Sequence, residues 1–125
     1  MGNETPHFQF AAVESDIIDD PRMKKEHLTV YLSLAHHADS NGANSRPSVK
    51  TITSEARCSR ARAISCINDM VAWGYVEREA QFDAKGDRDN NLYSLPLMRK
   101  RREAFEAKKR GSLQAHPRVP ARRVV

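Results

Sequence analysis

Two amphipathic segments follow each other within residues 48–74, and this pair restricts the possible folds more than any other feature of the chain. Ser48 can cap the first helix and Ser59 the second, because a serine oxygen accepts a hydrogen bond from a free amide at a helix N-terminus. Gly74 favours the left-handed conformation that ends many helices. The inward positions at helical spacing are Ile52, Thr53 and Ala56, then Ala63, Cys66, Ile67, Met70 and Trp73. We therefore expect two helices joined by a tight turn.

An earlier helix and a later hairpin flank this pair. Residues 24–38 have one apolar face at the spacing of an amphipathic helix, and a loop of about ten residues follows it. The members of that face are Leu28, Tyr31, Leu32 and Ala35. Residues 75–82 alternate charged and apolar side chains as a half-buried strand does, and residues 91–95 resemble its partner. The polar segment between them predicts a hairpin with a long, exposed tip.

The start of the chain predicts little regular structure. Residues 8–13 are short, apolar and aromatic, which indicates a short strand or extended arm, and an acidic stretch then runs to Pro21. The N-terminus has no basic segment followed by an apolar run, and no window approaches eighteen apolar residues. We expect neither a secretory signal nor a membrane-spanning helix, and hence a cytoplasmic location.

Length and cysteine content favour one domain with appendages. A chain of 125 residues, of which 39% are hydrophobic, can bury one modest core. Cys58 and Cys66 have neither the spacing of metal ligands nor the pattern of a disulfide framework, so we expect reduced thiols in the protein interior.

Positive charge is concentrated at the C-terminal end. Residues 1–95 have eleven Lys and Arg against fourteen Asp and Glu, a net charge of −3, whereas residues 96–125 have ten against two, a net charge of +8. A basic tail attracts polyanions, because each neutralised phosphate releases a counterion. DNA, RNA, an anionic membrane or a merely solvated tail all fit this composition. Helix formers predict a helix that ends at Gly111, with disorder over the last fifteen residues.

The order of helix, short helix, tight turn, helix and hairpin is that of a winged helix-turn-helix domain. Residues 8–97 resemble the helix-turn-helix domains of plasmid and phage replication proteins and related bacterial regulators. The resemblance rests on AAVESDIIDDPR, LTVYLSLAHHAD, RPSVKTITSEARCSRARAISCINDMVAWGYVERE and NNLYSLPL. It implies an α+β, mainly helical fold with three helices, a β-hairpin wing and a basic C-terminal tail. The predicted domain organisation is a flexible N-terminus at 1–7, the winged helix-turn-helix domain at 8–97, and a tail at 98–125 that is partly helical and then disordered.

The chain departs from the family pattern in two places. The turn between the paired helices usually has glycine followed by a small apolar residue, and here it has Arg57 and Cys58. A non-glycine residue adopts a positive φ at a cost of about 1 kcal/mol, so we expect the turn to be kept but to be less sharp. Ala63 takes the place of the usual β-branched residue, with Ile64 beside it, which leaves the rotation of the third helix open by one position.

The resemblance implies sequence-specific binding of double-stranded DNA. The third helix, about residues 59–73, would enter the major groove, where each base pair is distinguishable. Its outward residues would be Ser59, Arg60, Arg62 and Ser65, with Ile64 as a further candidate. Arg60 and Arg62 are the candidates for reading guanine, because a guanidinium can donate two parallel hydrogen bonds to its edge. Contact with phosphate alone is the alternative.

Other residues are predicted to contact the sugar-phosphate backbone of the DNA. Ser48, Lys50 and Thr51 begin the second helix, where free amides can bind a phosphate. The wing, about residues 83–90, carries Lys85 and Arg88 towards the minor groove, unless it is an ordinary solvated hairpin. In the tail the basic candidates are Arg99, Lys100, Arg101, Arg102, Lys108, Lys109 and Arg110. Alternatively, the tail docks a second subunit through Leu97, Met98, Ala104 and Phe105.

The resemblance implies a bacterial, plasmid or phage regulator of replication or transcription that acts as a homodimer or higher oligomer on DNA, in the cytoplasm with the nucleoid or a plasmid. The alternative is a protein–protein interaction or oligomerisation module, used in plasmid maintenance or partition, whose tail binds nucleic acid non-specifically. The net charge of −3 over residues 1–95 supports that alternative, because an acidic domain is less suited to a polyanion.

No enzymatic activity, cofactor, small-molecule ligand, membrane partner or metal site is expected. His36 and His37 are adjacent, so they point to different sides of a helix, and neither has an acidic or cysteine partner at metal-ligand spacing. The sequence has no glycine-rich phosphate loop and no recognisable context for a nucleophile.

Overall fold

The computed structural model describes residues 11–114, with side chains as far as Gly111. The elements in chain order are α1 (Ser15–Ile18), α2 (Lys25–His36), α3 (Val49–Ala56), α4 (Arg60–Ala72), β1 (Glu77–Glu79), β2 (Leu92–Ser94) and α5 (Pro96–Gln114). The two strands form an antiparallel hairpin. The predicted fold class is confirmed: the fold is mainly helical, and a small hairpin follows the central helices α2, α3 and α4. Among the described residues, no helix is both long and apolar enough to cross a membrane.

The core lies between α2, α3 and α4. Of the inward residues predicted for α4, Ala63, Cys66, Ile67 and Met70 are buried, and Trp73 at its C-cap is half-buried. The rotation that the sequence left open by one position is thus the one that turns Ala63 inward and exposes Ile64. In α3, Ile52 and Ala56 are buried and Thr53 is half-buried. Cys58 and Cys66 are free thiols. Cys66 is buried as expected, which raises its pKa, whereas Cys58 is only half-buried.

The buried face of α2 differs from the predicted one. Tyr31 and Ala35 are buried as expected, but Leu28 and Leu32 are only half-buried. The fully buried positions of this helix are Val30, Tyr31 and Leu34. The helix packs against both α3 and α4, and a helix with two partners buries a broader and differently centred stripe than one partner would require.

The turn between α3 and α4 forms without glycine. Arg57 has φ 58° and ψ 49°, which is left-handed backbone, and its amide donates to the carbonyl oxygen of Thr53 at 2.8 Å. Both predicted caps are present, since Ser48 Oγ accepts from the amide of Thr51 and Ser59 Oγ accepts from the amide of Arg62, each at 3.0 Å. The turn and the two caps therefore join α3 to α4 through a short connection, as the sequence predicts.

Gly74 ends α4 as predicted. Its φ is +85°, and the amide of Tyr75 donates back to the carbonyl oxygen of Met70 at 2.9 Å. This 6→1 hydrogen bond belongs to the Schellman motif. The chain turns directly into the hairpin, with Val76 buried at its base.

The strands are shorter than predicted. β1 covers residues 77–79 instead of 75–82, and its three side chains are exposed instead of half-buried. The register pairs Arg78 with Tyr93, which is buried in β2. An isolated bridge joins Phe82 to Arg88 further out. The hairpin projects from the domain beyond Val76, so its outer residues have no second layer to pack against.

The loop after α2 joins the base of the hairpin. Ser45 is buried, exchanges backbone hydrogen bonds with Tyr93 at 3.2 and 2.7 Å, and donates its hydroxyl to the carbonyl oxygen of Leu34 at 2.8 Å. Gly42 has φ +71°, and its carbonyl oxygen accepts from the amide of Leu95 at 2.7 Å. These contacts fix the point from which α5 departs.

Two helices lie outside the predicted central set. α1 forms within the acidic stretch and buries Ile17. α5 runs through Gly111 to Gln114, so the prediction that Gly111 ends this helix is wrong. A glycine costs a helix about 1 kcal/mol relative to alanine but does not stop it. Residues 11–13 of the predicted arm are irregular. The rest of that arm, the N-terminal segment 1–7 and residues 115–125 lie outside the described residues.

Candidate nucleic-acid interface

One side of α4 is open to solvent along its length. Ala61, Ile64, Ser65 and Asn68 are exposed on this side, and Ser59 caps the exposed first turn. The opposite side carries the core residues. A helix buried along one side only can lay its free side against another molecule.

The two arginines of the first turns reach opposite edges of α4. Arg60 and Arg62 are two residues apart, which separates them by about 200° around the helix axis. Arg62 is half-buried, with its Nη2 3.6 Å from Glu26 Oε1 of α2. Arg60 is exposed on the edge that faces the hairpin. Ser65 lies on the exposed side between these edges.

Arg60 lines a groove of about 340 Å³ between α4 and the hairpin, together with Ile64. Two more guanidinium groups line it, those of Arg78 from β1 and Arg88 from the outer hairpin. Three cations from three elements therefore converge on one concave surface beside the free side of α4.

Neutral amides orient two of these arginines. Arg78 Nη1 donates to Asn68 Oδ1 of α4 at 2.8 Å, and Arg88 Nη2 donates to Asn91 Oδ1 at 2.6 Å. Asn68 and Asn91 carry no charge, so these hydrogen bonds place the guanidinium groups without neutralising them. The groove also contains Asp89, whose carboxylate pairs with Arg46 at 3.1 Å.

A polar cluster fixes the C-terminal end of α4 against the segment before α2. The carboxylate of Asp20 accepts from the hydroxyl of Tyr75 at 2.6 Å and from the guanidinium of Arg22, which lies 4.6 Å above the Trp73 ring. The hydrogen bonds from Arg22 and then from Tyr75 hold the pKa of Asp20 well below its usual range. The hydrogen bond to Asp20 raises the pKa of Tyr75.

A buried histidine makes a second tie to α4. His27 Nδ1 accepts from the amide of Lys24 at 3.0 Å, and its Nε2 is 2.9 Å from Asp69 Oδ2. Because an amide can only donate, Nε2 must carry the hydrogen and donate to Asp69. The ring also packs 5.0 Å from that of Trp73. These contacts set the position of α4 along its axis.

Comparison with known families assigns the central helices. Residues 22–76 match a family model described as a helix-turn-helix domain. The order of the central helices and this match agree on a helix-turn-helix domain, a kind of domain that suggests DNA binding. Comparisons with curated proteins and with solved structures gave no significant match. The matched residues include α2, α3 and α4, and the hairpin that follows them is the wing.

The predicted phosphate contacts of the helix-turn-helix domain lie where α3 begins. Ser48 Oγ caps the helix and also donates to Thr51 Oγ1 at 3.0 Å, so both hydroxyls serve the helix end itself. Lys50 is exposed one residue into the same turn. Val49 of this turn also lines the groove, which places the N-terminus of α3 beside the groove arginines.

The wing separates its two predicted contacts. Lys85 is exposed at the tip, where Asp83 Oδ1 accepts from the amides of Lys85 and Asp87 at 2.9 Å. Arg88 lies nearer the groove, with its guanidinium 5.9 Å from the centre of the exposed Phe82 ring. Lys85 therefore extends further from the domain than Arg88 does.

The predicted tail residues form a separate group on α5. Arg99 Nη1 lies 3.7 Å from Glu77 Oε1, and Arg101 Nη1 lies 2.9 Å from Glu14 Oε2. Arg102 pairs with Glu106 on the same helix at 2.9 Å. The exposed basic residues of this helix also include Lys100, Lys108, Lys109 and Arg110. The first turns of α5 are thus tied to the domain by carboxylates.

Sequence reasoning missed Arg78, Asn68 and Asn91. Arg78 stands between two glutamates in the alternating strand pattern, which signals an exposed strand residue and nothing more. The chain reversal at Gly74 leads β1 back along α4 and so brings this side chain to Asn68. Asn91 lay in the segment predicted as a strand partner, without a role.

His36 and His37 have no acidic partner at metal-ligand spacing in the sequence, but the fold brings one to them. His37 Nε2 lies 3.0 Å from both carboxylate oxygens of Glu55. Glu55 is on α3, eighteen residues further along the chain, so a search for short ligand spacings could not find it.

Proposed function

We propose that this protein binds double-stranded DNA sequence-specifically, with α4 in the major groove and the wing on the adjoining minor groove or backbone. The convergence of Arg60, Arg78 and Arg88 on the groove beside α4 carries this proposal. A guanidinium offers paired donors to guanine or to phosphate. Fixing these groups before DNA arrives lowers the entropy lost on binding.

The proposed contacts fall into three classes. Arg60 and Ser65, with Ser59 and Arg62 at the helix start, would meet base edges or the nearest phosphates. Ser48, Lys50 and Thr51 would hold a phosphate at the start of α3, and Lys85 and Arg88 would contact the duplex from the wing. The basic residues of α5, together with the remaining tail, would add sequence-independent attraction. Within this set, Arg99 and Arg101 would first have to leave Glu77 and Glu14.

The biological role we propose is regulation of replication or transcription in a bacterium, plasmid or phage. The protein would act through binding and not catalysis, in the cytoplasm with the nucleoid or a plasmid. A single domain of this size reads few base pairs, so a homodimer on paired half-sites is the economical arrangement.

A second candidate function is an interaction module in which only the tail contacts nucleic acid. The net charge of −3 over residues 1–95 favours it, as do Glu77 and Glu79 exposed along β1. In that case the domain itself would contribute no preference for sequence.

Selection from a random duplex library, followed by titration of the selected and a shuffled duplex at several salt concentrations, tests the proposal. Arg60→Ala should reduce the preference for the selected duplex by about 1 to 3 kcal/mol. Lys109→Ala is the control and should weaken both duplexes alike, lowering the salt slope by about one. An equal loss on both duplexes for Arg60→Ala would reduce Arg60 to a backbone contact. Recovery of no preferred sequence would favour the interaction module.

A further inference from the structure

The C-terminal end of α2 brings two histidines beside a glutamate of α3. The rings of His36 and His37 have centres 4.9 Å apart, and Glu55 faces them from the neighbouring helix. One nitrogen from each histidine and one oxygen from Glu55 all lie within 4.8 Å of one another. In the part of the chain that the structure describes, no other set of three His, Cys, Asp or Glu side chains is this close.

We propose that His36, His37 and Glu55 bind a first-row transition-metal ion such as Zn²⁺. Imidazole nitrogens suit Zn²⁺, Ni²⁺ and Cu²⁺, whereas Ca²⁺ and Mg²⁺ prefer sites made of oxygen alone. Three protein ligands would leave the remaining coordination position to water.

The spacing of the candidate ligands fits this coordination. Zn²⁺ bonds to nitrogen and oxygen at about 2.0 to 2.2 Å, so neighbouring ligands of a tetrahedral ion lie about 3.3 Å apart. His37 Nε2 and the oxygens of Glu55 are 3.0 Å apart, a few tenths of an ångström from that value. His36 is exposed, so its ring can rotate towards the ion without displacing the core.

The surroundings of the cluster favour a cation as well. Ser33 Oγ donates to Glu55 Oε1 at 2.7 Å and so orients the carboxylate, as outer-shell groups do at metal sites. The cluster also lies at the C-terminus of α2, where free carbonyl groups carry partial negative charge.

The site is open to solvent. The side chains of His37 and Glu55 are 32% and 35% exposed, so an ion can enter without unfolding the domain. An adjoining cavity of about 370 Å³, lined in part by Ser33, His36 and Glu55, has room for water ligands.

A bound ion would join α2 to α3, two helices of the helix-turn-helix domain. A ligand that binds the folded chain and not the unfolded chain raises the melting temperature. This metal site goes beyond the proposed DNA binding and would remain if that proposal failed, because none of its three residues lies in the groove beside α4.

Calorimetric titration of the full chain with ZnCl₂ tests the site, with MgCl₂ and CaCl₂ for comparison. We expect one equivalent of Zn²⁺ to bind, the melting temperature to rise with Zn²⁺, and neither hard cation to bind at the same concentration. Losing an outer-shell partner alone weakens metal sites about 10- to 100-fold, so His37→Gln and Glu55→Gln should each weaken binding at least tenfold. The matched control is the double variant His7→Gln with His116→Gln, which should bind like the wild type.

Ring signals of His36 and His37 in nitrogen-15 NMR of the wild-type chain provide a readout that does not depend on how the variants fold. Both signals should shift on saturation with Zn²⁺, while those of His27 stay in place. Absence of saturable Zn²⁺ binding would overturn the site. Equal binding by His37→Gln and wild type would also overturn it, as would loss of binding in the His7 and His116 control or in Cys58→Ser.

Discussion

Arg57 occupies a left-handed backbone conformation in the turn between α3 and α4, with φ 58° and ψ 49°. This conformation brings Cβ close to the following carbonyl oxygen, at a cost of about 1 to 2 kcal/mol in a residue other than glycine. The capping hydrogen bond from its amide to Thr53 holds the residue in place. The turn between α3 and α4 is therefore kept against a local backbone cost.

Arg57→Gly should stabilise the domain by about 1 kcal/mol, because glycine adopts this conformation freely. Urea denaturation monitored by circular dichroism measures the change. Arg57→Ala is the control, since it removes the same side chain but keeps Cβ and should gain little. Equal stability of the glycine and alanine variants would mean that the turn carries no such cost.

Gly42 is required for a different reason, the close approach of α5. A Cβ at this position would lie 2.7 Å from the carbonyl oxygen of Leu95 and 2.9 Å from Cβ of Met98. The residue also has φ +71°. Both the backbone conformation and the space exclude a side chain here.

Gly42→Ala should destabilise the protein by about 2 to 4 kcal/mol, the sum of a left-handed alanine and an overpacked contact. Gly86→Ala at the wing tip is the matched control, because its φ is +86° but nothing lies within 4 Å of the added Cβ. Thermal or urea unfolding compares the two. Similar losses in both variants would show that the contact with α5 contributes nothing.

At the scale of elements, α4 is positioned by polar contacts at its C-terminal half. Asp20 with Tyr75 and His27 with Asp69 connect the segment around the start of α2 to the end of α4. The exposed N-terminal half, which is proposed to meet DNA, is thereby supported from the other end. A shift of α4 along its axis would break both connections together.

The contribution of Asp20 depends on pH with a definite sign. Its pKa is lowered in the folded chain, so the ionised carboxylate stabilises the fold above the ordinary Asp value of 3.8, and this stability declines as the pH falls below that value. Asp20→Asn should therefore lower the melting temperature at pH 6, and its difference from wild type should shrink below pH 3.8. Asp19→Asn, a neighbouring exposed residue, is the control. A difference independent of pH would exclude the charge of Asp20 as the cause.

Helices whose apolar residues repeat at a clear helical spacing are predictable from the sequence, whereas contacts between helices and strands are much less so. Ala63, Cys66 and Met70 identified the inner face of α4, because burial against one broad core imposes a single helical period. In α2 the apolar spacing points to Leu28 and Leu32, whereas packing against both α3 and α4 fully buries Val30 and Leu34.

The candidate site was only partly predictable from the sequence, because it too depends on contacts between elements. Arg60 and Arg88 were identified from their places on a helix and in a wing. Arg78 joins them only because the chain reverses between α4 and β1, and Glu55 meets His37 only because α3 packs on α2. Such contacts depend on how elements are oriented in space, which local sequence patterns do not encode.

At the scale of the whole molecule, different parts of the chain are proposed to supply sequence specificity for DNA and electrostatic attraction to DNA. Residues 1–95 have a net charge of −3, so the domain offers DNA a few placed arginines and not a general positive field. Residues 96–125 have a net charge of +8. The start of α5 is held by Glu14 and Glu77, while its later basic residues are exposed. We therefore assign sequence preference to the groove and most salt-dependent affinity to the tail.

Deleting residues 103–125 tests this division most directly. The deletion removes six Lys and Arg but keeps the turns of α5 that contact Gly42, Glu14 and Glu77. The measurement is the ratio of dissociation constants for the selected and shuffled duplexes, in the full and the shortened chain. We expect the shortened chain to bind both duplexes more weakly and with a flatter salt dependence, and the ratio to stay the same within about a factor of two. A ratio of one in the shortened chain would contradict it, because the tail would then carry the discrimination.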